Sequence, residues 1–264
     1  MLIDTHCHID QFSSPETVVR ECEENELRVV AVTNLPSYFA SAADHLRGHP
    51  LVSPALGIHP LAANEGIREL AAFKRMAAHV DFIGEIGLDY SKKGEASKGL
   101  QERVFDEILR TIATRPRFVS LHSRGAEDAV LEALRRYKIR NSVFHWFTGS
   151  IKQLEHIINE GHFVSINPAM LSTANGKKVI VNSPQKSVLI ESDGPFAKIE
   201  GQAAHPKNII AVYNALSIEW KLSFKEVVNV VTDNFNRIIE QVFCEKKLAT
   251  ATNPKEGQDT GVNI

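Results

Sequence analysis

A chain of 264 residues with 43% hydrophobic and 23% charged residues is long enough to bury a full core without disulfide or metal staples, and its balance excludes a low-complexity or fibrous class. A formal net charge of -2 and a pI near 6.6 exclude a global field that would draw the protein onto nucleic acid or anionic lipid, so any polyanion site must be local. Three cysteines without paired spacing, no stretch near 20 apolar residues and no basic, apolar leader at Met1–His6 exclude a disulfide framework, a membrane span and an export signal, which makes the expected location cytoplasmic.

Short apolar runs rich in branched residues alternate with amphipathic segments. Residues 2–5 read as a first strand, 15–24 as a helix and 28–33 as a second strand. Residues 36–48 leave room only for a short helix before a third strand at 51–56. Then follow helix 65–78, strand 82–85, helix 100–113, strand 118–121, helix 126–137, strand 142–145, helix 151–160, strand 163–166, helix 173–182 and strand 187–191. Two more helices, 206–215 and 224–243, close the pattern. It stops near Lys247, so the expected organisation is one domain over residues 1–246 and a disordered tail over 247–264.

Strands alternating with helices predict a parallel sheet of right-handed crossovers, and eight strands suffice to close it into a (β/α)8 barrel. The competing architecture is an open doubly wound sheet. It lacks support, because no Gly-x-Gly-x-x-Gly turn follows a strand and no Walker-type loop occurs.

In such a barrel the chemistry sits at the C-terminal strand ends. The first strand runs into Asp4-Thr5-His6-Cys7-His8. Strand alternation puts Asp4, His6 and His8 on one face, where two imidazoles can bite one cation; the bland alternative is a surface His-x-His. The fourth strand ends at Glu85, a carboxylate that is expensive to bury unless paired, and able to bridge two cations or to form a plain salt bridge. Asp89, shortly after it, can cap the following loop or back up a ligand. His122 and His145 end the fifth and sixth strands. Each alone reads as a structural histidine as readily as a ligand. Beyond the eighth strand, Asp193 is suited to be both a metal ligand and a proton acceptor. Four histidines and two carboxylates at five strand ends make a two-cation site.

These residues lie in segments that resemble the TatD-type metal-dependent deoxyribonucleases of the amidohydrolase barrels: Asp4–His8, Gly57-Ile58-His59-Pro60, Gly84–Tyr90, Leu121-His122-Ser123-Arg124, His145–Gly149, Glu191–Pro195 and Asn234-Phe235-Asn236-Arg237. The resemblance spans about residues 1–245 in order. It implies one metal held by His6, His8, Glu85 and Asp193, a second held by Glu85, His122 and His145, and His59 approaching a substrate phosphate rather than a metal. It also implies DNA cleavage, typically from the 3′ end of single strands. Within the family, His145–Gly149, Asn167–Leu171 and Asp193–Phe196 resemble QatD, the nuclease subunit of the Qat anti-phage defence system, and that likeness implies other Qat proteins as partners. Residues 197–206, with Lys198 and His205, are shorter than the Arg-Gly…Asn-Glu-Pro segment of housekeeping members, which leaves polarity and DNA specificity open.

Two cations acidify a bridging water and hold the attacking and leaving oxygens of an in-line displacement, with Asp193 accepting the proton. Mixed imidazole and carboxylate donors suit Zn, Mn or Co better than Mg or Ca, although Mg can support turnover. Lys92, Lys93, Lys98, Arg124, Lys177 and Lys178 fall after strand ends and either line a phosphate path or form an ordinary solvated surface. Trp146, Phe147 and Tyr90 either stack on bases or simply pack. Two rivals use the same residues: a small-molecule amidohydrolase, many of which carry a carbamylated lysine where this chain has Glu85, and a partner-binding subunit that keeps a folded metal site.

Overall fold

The structure, a computed structural model, describes residues 1–252. All eight expected strands form: β1 (Leu2–Cys7), β2 (Leu27–Val32), β3 (Val52–Ala55), β4 (Phe82–Gly87), β5 (Phe118–His122), β6 (Val143–Phe144), β7 (Phe163–Ile166) and β8 (Val188–Ile190). The helices between them are α1 (Pro15–Glu24), α2 (Pro36–His45), α3 (Ala63–Ala77), α4 (Lys98–Ile112), α5 (Glu127–Tyr137), α6 (Ile151–Asn159) and α7 (Ala174–Asn182). A short hairpin, β9 (Lys198–Ile199) with β10 (Gln202–Ala203), precedes α8 (Ile209–Trp220) and α9 (Phe224–Thr252). The expected tail begins within the last turns of α9, and its remainder lies outside the described residues.

The chain forms a (β/α)8 barrel. Strands β1-β2-β3 and β4-β5-β6-β7-β8 pair in parallel and in chain order. Leu56 N–H donates to Phe82 O and Gly84 N–H to Leu56 O, both at 3.0 Å, which joins the two sheets beside a Leu56–Ile83 bridge. The circle closes where Asp193 N–H donates to His6 O (2.9 Å) and His8 N–H to Gly194 O (2.8 Å). Closure therefore runs through three candidate metal ligands, His6, His8 and Asp193.

Parallel strands covered on both faces need continuous apolar runs. In β2, Leu-Arg-Val-Val-Ala-Val leaves only Arg28 less than buried. Proline opens α1 and α2, where its missing N–H costs nothing. Ser150 and Gln153 cap α6 reciprocally. Phe73, Phe118, Phe144 and Phe147 are almost wholly buried between strands and helices; truncating one to alanine would cost about 3–5 kcal/mol. Tyr213 of α8 accepts Ile3 N–H at 3.1 Å, which docks the C-terminal helices under β1. This packing holds the strand ends still, and the chemistry depends on that.

Candidate metal centre

Glu85 is 1% exposed and stands at the middle of the strand ends. Its Oε2 lies 3.1 Å from His8 Nε2 and 3.5 Å from His6 Nε2. Its Oε1 lies 2.6 Å from His122 Nδ1, 2.8 Å from His145 Nε2 and 3.4 Å from His59 Nε2. One carboxylate thus faces two sets of imidazoles with its two oxygens. Asp193 joins the first set, with Oδ1 3.6 Å from His6 Nε2 and 3.8 Å from His8 Nε2.

The donor set fits divalent cations. His6 Nε2 and His8 Nε2 face each other at 3.3 Å, and His122 Nδ1 and His145 Nε2 at 3.4 Å. Four ligands about 2.0–2.1 Å from a tetrahedral ion sit roughly 3.3–3.4 Å from one another. Buried lone pairs at that spacing suit a shared cation. His6, His8 and Asp193 form one convergent group, His6, Glu85 and His145 another, and His59, Glu85 and His122 a third.

Protonation follows from burial and these neighbours. Burial pushes the His6 pKa down to about 3, so its ring is neutral and able to ligate. Burial acts against ionisation of Glu85 too, but His59, His145 and His122 hold its carboxyl well below the usual range. Burial lifts Asp193 to about 7.

The outer contacts orient the donors. Ser120 Oγ lies 2.8 Å from His6 Nδ1 and can take its proton, leaving the Nε2 lone pair for the centre. Asp89 performs both roles open to it in the sequence: Oδ2 lies 2.9 Å from His122 Nε2, and Oδ1 accepts Ser91 N–H at 2.8 Å. Glu191 carries no role in the sequence reading. Wholly buried, it accepts Trp146 N–H (2.8 Å) and Asn167 Nδ2–H (3.1 Å) on Oε1 and Ser165 Oγ–H on Oε2, and Oε1 lies 3.7 Å from His145 Nδ1. It lies in the Glu191–Pro195 segment that the resemblance marks, but its role is not legible there because its partners lie in or just after β6 and β7. Trp146 (φ 35°) and Asp193 (φ 46°) hold left-handed backbones, a strain of about 1–3 kcal/mol each that is tolerated where surrounding bonds fix it.

Asp4 departs from the alternation argument. The register of β1 breaks between Asp4 and Cys7, and Asp4 Oδ1 instead accepts the backbone N–H of His6 (3.1 Å) and Ser192 (2.9 Å). These bonds tie β1 to the segment after β8 and keep Asp4 out of the donor groups, and burial lifts its pKa to about 8.

A cavity of about 950 Å³ opens over the centre. His59, Arg124 and Trp146 line it, whereas Phe147, although in the wall, is almost wholly buried and packs rather than facing the opening. Lys92 is exposed and outside its wall; Lys93, one residue on, takes that place. Lys98 lies over the Tyr90 ring at 4.0 Å, and the Tyr90 hydroxyl donates to Glu102, so both are engaged on α4.

A sequence profile described as TatD related DNase matches residues 3–240. A TATDN1 homolog of Vairimorpha ceranae is 32% identical over 207 residues, 75% of this chain and 74% of that protein. The metal-dependent hydrolase YjjV of Escherichia coli is 28% identical over 229 residues, 81% of this chain and 88% of that protein. The solved structure of a TatD homolog from the same organism, YJJV, superposes with a TM-score of 0.79 at 24% identity, covering 88% of this chain and 95% of the other.

Proposed function

The chain belongs to the TatD related DNase family, and on that premise we propose that it hydrolyses phosphodiester bonds of DNA at a centre of two divalent cations. The observation that carries this reading is Glu85, whose two oxygens face two separate groups of imidazoles. His6 Nε2, His8 Nε2, Glu85 Oε2 and Asp193 Oδ1 would hold one cation, and Glu85 Oε1, His122 Nδ1 and His145 Nε2 the other. Zn, Mn or Mg would supply Lewis acidity toward water and a phosphoryl oxygen.

The remaining work belongs to side chains. Asp193, with Oδ1 assigned to the cation, would take the proton of the attacking water on its other carboxylate oxygen. Leu61 N–H donates to His59 Nδ1 at 3.1 Å, and burial keeps the His59 ring neutral. Its proton therefore sits on Nε2, which makes His59 a donor to a phosphoryl oxygen rather than a ligand. Arg124 and Lys93 at the cavity wall draw in and orient the phosphate.

The same reading extends to single strands attacked from the 3′ end, and to anti-phage defence beside other Qat proteins. The first extension rests on the TatD-type resemblance alone, and the second on the likeness of His145–Gly149, Asn167–Leu171 and Asp193–Phe196 to QatD. Cys7, Cys22 and Cys244 are all free, which fits a cytoplasmic location. One observation favours a second reading, a small-molecule hydrolase: the cavity volume of about 950 Å³ lies within the ordinary range for small-ligand sites.

The test is nucleotide release from end-labelled single-stranded DNA by metal-stripped protein resupplied with Mg, Mn or Zn. Metal-dependent release that is lost in Asp193→Asn supports the nuclease reading, and the product ladder gives polarity. Absence of cleavage by the metal-loaded protein favours the small-molecule reading or a partner-dependent enzyme.

A further inference from the structure

Between buried Gly194 and buried Ala197 the chain turns a phenyl ring toward solvent. Phe196 keeps 52% of its surface exposed, although rings of its size usually find cover in a folded chain. The backbone around it is fixed. Ala197 N–H donates to Asp193 O at 2.9 Å, Ala204 N–H donates to Ala197 O at 2.8 Å, and the β9–β10 hairpin returns directly behind it. The ring stands edge-on to the His8 imidazole, with centroids 4.9 Å apart and planes at 79°, and it lines the cavity over the metal centre. Phe196 is thus held rigidly beside a candidate ligand with much of its surface free.

Two cations, Lys93 and Arg124, follow β4 and β5 on one side of the cavity mouth, beside exposed Leu61 and Glu65 after β3. The rings of Trp146 and Phe196 follow β6 and β8 on the other. A ligand that satisfies both sides carries an anionic group at one end and a flat apolar group at the other. A phosphorylated nucleoside has that shape, and its base can stack on an aromatic face.

We propose that Phe196 is the platform of a nucleobase subsite, on which the base of the nucleotide at the metal centre stacks while its phosphate is drawn toward Lys93 and Arg124. The proposal rests on the nuclease reading and adds the residue that engages the base. A base can reach this recess only when it is unpaired and unstacked, so the subsite selects single-stranded or frayed ends.

The test measures binding separately from cleavage. Two oligodeoxynucleotides differ only at the terminal residue, which is 2-aminopurine in one and abasic in the other. Each, with hydrolysis-resistant phosphorothioate linkages at that end, is titrated against metal-loaded wild type, Phe196→Ala and Phe196→Tyr, and cleavage is followed on the unmodified strands. The expected result is roughly tenfold tighter binding of the base-bearing strand by wild type, with quenched 2-aminopurine fluorescence. That ratio collapses toward one in Phe196→Ala and is kept in Phe196→Tyr. Equal affinity of the two strands for wild type, or an undiminished ratio in Phe196→Ala, overturns the subsite. Base-selective binding that depends on Phe196 without cleavage of either strand would sustain the subsite and count against the nuclease reading alone.

Discussion

The backbone N–H of Leu61 donates to His59 Nδ1 at 3.1 Å, and this bond determines what the opposite ring nitrogen can do. With Nδ1 accepting, a neutral His59 carries its proton on Nε2, 3.4 Å from Glu85 Oε1. The ring sits within reach of the metal centre without the lone pair to join it. We predict that His59→Ala lowers kcat/KM by about 10²-fold, the order expected for losing one donor to a developing charge. Metal content, read by elemental analysis, stays at the wild-type value. Loss of a bound metal in this variant would reassign His59 as a ligand.

Gly57 explains a second part of the same motif. A Cβ built there would meet Thr33 O at 2.2 Å and the backbone N and O of Glu85 at 2.4 and 2.6 Å. Those are backbone atoms, so the strand bearing Glu85 must move. Gly57→Ala is expected to destabilise the fold by about 1–3 kcal/mol or more, as overpacking does, and to weaken metal binding as well. Urea unfolding and metal titration check it; wild-type metal affinity in the variant would contradict it.

Glu191 holds the left-handed Trp146 backbone by accepting its N–H, and it stands 3.7 Å from His145 Nδ1. Glu191→Gln keeps the volume and removes the charge beside the imidazole. Metal affinity is expected to drop about 10–100-fold, as it does when outer partners of a ligand are changed. Glu191→Ala also strands the N–H groups of Trp146 and Asn167, a loss of about 2–4 kcal/mol in stability. Calorimetric metal titration of Glu191→Gln with no change in affinity would remove the residue from this role.

Most of the barrel could be read directly. Eight apolar runs became eight strands because parallel strands are buried on both faces and carry continuous hydrophobic sequence. Histidines and carboxylates at strand ends marked a candidate site whose side chains the fold brings together around Glu85, since position along a strand fixes which end of the barrel a side chain occupies. The illegible parts depend on contacts across the chain. Asp4 has the correct phase, but a register break turns it to backbone N–H groups. Glu191 is bound by residues from other strands. The β9–β10 hairpin has two-residue strands around Glu200-Gly201, too short for alternation to register. Helix α8 reaches Trp220, past the expected end at residue 215.

His162 gives a pH prediction away from the metals. It is 3% exposed, its Nδ1 accepts Ser142 N–H at 3.3 Å, and its ring packs edge-on to Phe144. Burial pushes its pKa from 6.5 down to about 4. The unfolded chain therefore takes up the proton first. Stability from the neutral ring is complete above about pH 6.5 and is lost as pH falls toward 4, by up to about 1.4 kcal/mol per pH unit. Urea unfolding at pH 7.5, 6 and 5 should show a shallower decline for His162→Gln than for wild type. Parallel declines would contradict the assignment.

The central claim is that Glu85 joins two cations which act together. The most direct measurement is cleavage of end-labelled single-stranded DNA as Mn is added stepwise to metal-stripped protein, with bound metal counted at each step, beside Glu85→Gln. We predict that activity climbs until two equivalents are bound, and that Glu85→Gln neither binds the pair nor cleaves. Full activity at one equivalent, or two tightly bound equivalents in Glu85→Gln, would contradict the account.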